Sequence, residues 1–272
     1  MSERLFPALL KYWRGRCGLS QLDLALAADV SARHLSYLET GRAMPSEAMV
    51  LRLFATMGVP LRHQNEALVA AGFTRRFDEP AMAELPAPVR AAIAQMLRQQ
   101  EPFPMMVLSA DHHVIDRNVA ADNVLAHVVA DPARLKSTPL DMVSLIFDPA
   151  LARPAFVEWP VTARRVLARL QRELLRTGDA RMGALIDRAL RYPGVDPSWR
   201  HPDDRDRVDA TIEVRLQRDT VKLAFLTTLT SFSSPGTVSL EEMRLESYFP
   251  LDEGTREQCE AWASADAATR PR

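Results

Sequence analysis

Cysteine is nearly absent from this chain of 272 residues: Cys17 and Cys259 stand far apart with no CxxC spacing. That excludes a disulfide framework or a cysteine-built zinc site and fits a reducing compartment. Long apolar runs are missing as well. No stretch approaches the roughly 18 apolar residues of a membrane span. The first residues, which include Arg4 and Lys11, lack the apolar core and small-residue cleavage site of an export signal. These absences predict a cytoplasmic protein with no membrane partner. No GxSxG, Walker loop or HExxH occurs, so no catalytic or metal-binding residues are assigned, no cofactor is required and an enzyme is not expected.

Net charge is also scarce, at −1 over the whole chain, but the mean hides an asymmetry. Residues 1–76 hold ten Lys or Arg against six Asp or Glu, a balance of +4, which leaves −5 for the remainder. A cationic first part joined to an anionic second part suits phosphate binding by the first alone. The length allows two modest domains.

What is present begins with helical periodicity. Leu5, Phe6, Leu9, Leu10 and Trp13 share one face of a first helix that Gly18 ends. Ser20 then reads as an N-cap with Asp23 three residues on, opening a short second helix over 21–28. Asp29 and Val30 leave only a tight turn before Ser31 caps a third helix, closed by Gly41. Two short helices so closely joined make a helix-turn-helix. Ala25, Val30, Leu35 and Leu38 fall where the two pack, and Ala32, Arg33, Ser36 and Tyr37 fall on the outward face. Pro45 and Ser46 start a fourth helix, and Pro60 starts a fifth that Gly72 ends.

The segment LSQLDLALAADVSARHLSYLETGRAMPS resembles the phage-repressor-like superfamily, often called the Xre family. The resemblance implies a five-helix all-α DNA-binding domain in which Gln21 bonds a DNA phosphate and Ser31, Ala32, Arg33, Ser36 and Tyr37 lie at the DNA, with Arg33, Ser36 and Tyr37 meeting base edges. Arg42, just after the recognition helix, is expected to clamp the backbone. The resemblance also implies a partly buried structural ion pair between Arg14 and Glu39. Asp29 stands where the family commonly has glycine, and aspartate tolerates the left-handed conformation better than most residues.

A proline-marked linker carrying a helix is expected over 77–101. Met105–Ser109 and His113–Arg117 then read as a hairpin, with His112 and His113 as surface turn residues. Helical pieces follow near 118–128, 140–147, 156–176 and 182–191. Period-two alternation through Ile212, Val214 and Leu216, then Val221, Leu223 and Phe225, then Met243 and Leu245, predicts three more antiparallel strands. Asp203, Asp204, Asp206 and Asp209, with Arg200, Arg205 and Arg207 interleaved, read as a solvated loop, since the spacing of a calcium loop is missing. The sum is an α+β chain with a five-stranded antiparallel sheet and helices, a PAS-like arrangement, over 102–265, and a tail at 266–272.

Segments PALARPAFVEWPVTARRVLARL and FLTTLTSFSSPGTVSLEEMRLESYFPLDEGT, taken with RHLSYLETGRAMPSEAMVLRL, resemble Xre regulators carrying an MmyB-type ligand-binding domain. The resemblance implies a PAS-like second domain that binds a small apolar effector, with a fatty acid the leading candidate, and a transcriptional regulator as the whole. Asn118, Trp159, Trp199 and His201 are candidate pocket residues, an amide or imidazole orienting a head group while rings line a cavity. Double-stranded operator DNA and a second copy of the chain are the expected partners, because one recognition helix reads too few bases alone. Two rival readings are a constitutive DNA binder whose second domain only dimerises, and a PAS-like domain with enzymatic activity.

Overall fold

The computed structural model describes residues 5–137, 139–201, 212–232 and 236–269. The chain divides into two compact units, 1–80 with 233–241, and 81–232 with 242–272. The acidic cluster from Asp203 to Asp209 lies outside the described residues.

In the first unit, helices α1 (Leu5–Arg16), α2 (Gln21–Ala27), α3 (Ala32–Glu39), α4 (Glu47–Thr56) and α5 (Leu61–Ala70) surround one core. Leu10, Leu24, Leu35, Leu38, Leu53 and Phe54 are fully buried there. Each of α2, α3 and α4 starts at a serine whose hydroxyl accepts a backbone N–H three residues on, which satisfies a donor the helix leaves orphaned. At Ser20 the box is complete, because Asp23 also accepts the Ser20 N–H. Asp29 has φ 52°, the left-handed turn needed to swing α3 across α2.

The Arg14 guanidinium grips Glu39 with two bonds, Nε to Oε1 at 2.5 Å and Nη2 to Oε2 at 3.0 Å, and gives a third to the Leu19 carbonyl at 2.8 Å. Burial pushes the Glu39 carboxyl up, but hydrogen bonds from Arg14 and Gln21 outweigh it and hold its pKa below the usual carboxylate range. Buried Asn65 ties down the chain beyond α5: its Oδ1 accepts from Arg76 and Phe77 N–H, and its Nδ2 donates to the Phe77 carbonyl. The unit therefore continues past residue 76.

Residues 236–241, reached only through the connection between two strands of the second unit, also belong to this first unit. They contain the first turn of α12 (Val238–Glu242). Val238 N–H bonds the Asp78 carbonyl, the Ser239 hydroxyl bonds the Pro80 carbonyl, and the Glu241 carboxylate accepts the Leu61 N–H at 2.7 Å. That last bond caps α5, whose N-cap Pro60 offers no side-chain acceptor.

The second unit opens with α6 (Ala87–Gln100), then β1 (Met105–Leu108), β2 (Val114–Arg117) and α7 (Val119–Val128). There follow α8 (Arg134–Ser137), α9 (Met142–Phe147), α10 (Trp159–Thr177), α11 (Ala180–Leu190), β3 (Ile212–Arg218), β4 (Val221–Thr230), β5 (Arg244–Pro250) and α13 (Glu253–Thr269). The five strands form one antiparallel sheet in the order β2-β1-β5-β4-β3. Helix α13 has no counterpart in the sequence reading and occupies 266–269, where a tail was expected. Its Thr255 hydroxyl accepts the Ala224 N–H just beyond the end of the β4–β5 ladder. Burial pushes the α13 thiol of Cys259 up to about 11, so it is a protonated core side chain at neutral pH.

Asn118 is the junction of this unit. It is buried, caps α7 by accepting the Ala121 N–H, accepts the Met105 N–H at the start of β1, and donates to the Phe103 carbonyl at 2.8 Å.

Two outcomes follow from this packing. Arg14→Ala destabilises the first unit by roughly 2–3 kcal/mol, less than a fully buried pair because Arg14 keeps some solvent contact, and urea titration of the full chain measures it. Because the folded Glu39 pKa is lowered, the pair's stabilisation is whole above the unfolded carboxylate value of about 4.3 and fades as pH falls through the folded value; Glu39→Gln flattens this acid limb. In the second unit, Asn118→Ala costs about 2–3 kcal/mol by leaving a strand N–H and a helix start unpaired, read as a lower melting transition.

Candidate nucleic-acid interface and apolar cavity

Helix α3 presents two faces. Leu35 and Leu38 are fully buried, whereas Ala32 and Arg33 are exposed and Ser36 and Tyr37 half-buried. Arg33 Nε donates to the Tyr37 hydroxyl at 3.0 Å, and its guanidinium lies 5.4 Å from that ring's centroid. This i, i+4 pairing pre-orders a cation and a phenol side by side on the outward surface. Ser31 and Arg42 are also exposed, at opposite ends of the helix. Gln21, at the first position of α2, donates from Nε2 to Glu39 Oε2 at 2.7 Å. It is therefore held against the same carboxylate that anchors Arg14, and only its second amide hydrogen remains for another acceptor.

The second unit holds a partly open cavity of about 80 Å³. Its floor is one face of the sheet, and the strand period of two decides which residues line it. The register sets Val214 beside Phe225, Ile212 beside Thr227, and Met106 beside Glu246. Its roof comes from Val124 and Leu125 of α7, Met142 and Ile146 of α9, and Thr162, Val166 and Arg169 on one stripe of α10. The lining is mainly apolar; besides the hydroxyls of Thr162 and Thr227, its polar side chains are Arg169, Glu246, Tyr248 and His112, which meet at one corner.

His112 corrects the sequence reading of a surface turn residue. It takes φ 60° in the β1–β2 turn and is 6% exposed, lining the cavity with Nε2 3.5 Å from Glu173 Oε2. The left-handed turn, closed by His112 N–H on the Ser109 carbonyl, brings it inward while His113 pairs outside with Asp111 at 2.9 Å. Burial pushes the Glu173 carboxyl up, but hydrogen bonding from His112 and the nearby Arg244 charge hold its pKa below the ordinary value.

The four pocket residues expected from sequence do not line this cavity. Asn118 serves the α7 cap described above. Trp159 Nε1 donates to the Ile146 carbonyl at 2.7 Å, with the Arg153 guanidinium 3.6 Å over its ring. Trp199 and His201 line a separate outer cleft of about 370 Å³ with Gln171, whose Nε2 donates to the Trp199 and Arg200 carbonyls. Arg169, Glu246 and Tyr248 were missed because isolated polar residues on an amphipathic helix and an edge of alternation read as solvent-facing. The one available signal was Glu246 and Tyr248 two residues apart on a strand, hence on one face. Among the described residues, no group of three or more His, Cys, Asp or Glu is placed to hold a metal ion, and no helix is long and apolar enough to cross a membrane.

Residues 10–64 match the helix-turn-helix family, and residues 89–261 match the family described as MmyB-like transcription regulator ligand binding domain. No curated protein matches the sequence. Among solved structures, the chain is similar to one titled an RNA-binding Light-Oxygen-Voltage receptor, at 11% identity and a TM-score of 0.30, over 96% of this chain and 64% of that one. The chain thus spans less than two thirds of that relative's length. With the second match covering well over half of its residues, the chain belongs to the MmyB-like transcription regulators, with an Xre-like helix-turn-helix at its amino-terminal side.

Proposed function

We propose that this regulator binds a specific operator as a homodimer in the cytoplasm and is controlled by a small apolar effector held in the second unit. The observation that carries the reading is the outward-facing Arg33–Tyr37 pair on a capped helix within the cationic residues 1–76, joined to a unit with a mainly apolar cavity.

At the DNA, α3 enters the major groove. Arg33 reads a guanine edge through its free guanidinium nitrogens, Ser36 and Tyr37 contact neighbouring bases, and Ala32 meets a thymine methyl. Ser31, the second amide hydrogen of Gln21, and Arg42 bond phosphates and set the register. A two-fold dimer with half-sites about 34 Å apart supplies the specificity one helix lacks.

In the second unit, the cavity takes the effector's apolar part. A fatty acid is the candidate class, and at about 80 Å³ any chain beyond a few carbons requires the cavity to widen. Met106 and Met142, flexible side chains on floor and roof, are placed to give way. Both β4 and β5 line the cavity, and the connection between them carries Ser239 and Glu241 into the first unit. An effector that binds one placement of these strands more tightly than another thereby shifts the population of DNA-binding states.

The small cavity favours a second reading, in which the second unit is filled and only dimerises. Native mass spectrometry of the purified chain separates the two: a retained small molecule supports effector control, and an empty dimer supports the second reading. For DNA, selection from random duplexes yields a preferred site with the intact protein. Arg33→Ala loses preference at one position of each half-site, by about 1–3 kcal/mol. Uniform weakening with a shallower salt slope instead assigns Arg33 to a phosphate, and the absence of any preferred duplex overturns the operator reading.

A further inference from the structure

The polar corner of the cavity has a chemistry that constrains its ligand. Glu246 of β5 is 6% exposed, and its Oε1 lies 3.8 Å from Arg169 Nη1 of α10. That is well beyond the roughly 2.7–2.9 Å of a charge-assisted hydrogen bond. The contrast within the same unit is clear: Arg188 and Asp141 close to 2.5 Å, and Arg181 and Glu242 to 2.6 Å. Both members of the Arg169–Glu246 pair line the cavity, one across from the other, so a donor and an acceptor site face the same small space. The groups facing Glu246 are Arg169 from α10, His112 from the β1–β2 turn and Tyr248 from its own strand, whose hydroxyl bonds the Glu246 carboxyl. His112 is itself engaged with Glu173, which also meets Arg244 at 3.4 Å.

An anionic head group entering this corner places a second carboxylate against Glu246 in a space walled by hydrocarbon, where like charges repel most. A head group that both donates and accepts while carrying no charge meets no such opposition. It gives its N–H or O–H to Glu246 and receives a bond from Arg169, completing two groups that the protein leaves at long range from each other. We infer that Arg169 and Glu246 form the head-group site of the effector cavity, and that it takes an uncharged amide or alcohol on a short apolar chain in preference to a carboxylate. The inference rests on the cavity being the effector site, keeps the apolar chain offered above and replaces the fatty-acid carboxylate with an uncharged head group. Burial raises the Glu246 pKa, partly offset by Arg169 and His112, in keeping with a site that tolerates no further negative charge.

Hexanamide and hexanoate test this, since they share a size and differ in charge. Their dissociation constants are measured at pH 8 on the full chain, from NMR shifts of isotope-labelled methionine methyls, with Met106 and Met142 as reporters at the cavity wall. Hexanamide binds at least tenfold more tightly than hexanoate to the natural sequence. Glu246→Gln, which keeps the side chain's volume and removes its charge, brings hexanoate to within about threefold of hexanamide. Preference for hexanoate in the natural sequence, or an unchanged ratio in folded Glu246→Gln, overturns the head-group assignment and leaves the cavity reading intact. If neither ligand moves the Met106 and Met142 signals, the cavity reading falls and this inference with it. Should the variant not fold, the ratio in the natural sequence decides alone.

Discussion

One buried carboxylate organises the amino-terminal unit. Glu39, the last residue of α3, receives Arg14 from α1 and Gln21 from the start of α2. A single acceptor thus sets three helices relative to one another at the point where the recognition helix ends. The arrangement is stringent because a carboxylate removed from water is costly unless its oxygens are filled. Here they are, by a two-bond arginine fork and an amide. That buried contact and the inward packing of Leu35 and Leu38 together orient the outward face of α3.

The second unit depends on a different regularity. Because side chains alternate along strands, one sheet face supplies a continuous floor of Met106, Val214, Phe225 and their neighbours, and α10 lays a single stripe over it. The same alternation brings Glu246 and Tyr248 to that face among hydrocarbon. Charge at this position is not explained by packing, for an apolar residue would fill the corner at lower desolvation cost. A polar corner in an apolar cavity is the usual form of a site that orients a ligand.

The connection between β4 and β5 gives the chain an unusual economy. Its residues 236–241 leave the sheet and complete the other unit, where Glu241 supplies the N-terminal acceptor that α5 lacks. Neighbouring strands that line the cavity are thus continuous in sequence with a segment that caps α5.

Much of the fold was legible in local patterns. Serine caps, the 3.6-residue stripe of α1, the abrupt turn at Asp29 and the two-residue alternation of β3 to β5 are short-range signals, and each is read from neighbours a few residues apart. The outward face of α3 followed from the same periodicity. What only the tertiary structure decided were relations between distant residues: the bond from Gln21 to Glu39, the capture of Glu241 by α5, the inward turn of His112, and the meeting of Arg169 with Glu246 across 77 positions of sequence. Periodicity places a residue on a face, whereas the partner it meets there depends on how faces from separate elements come together, and that is set by packing of the whole unit.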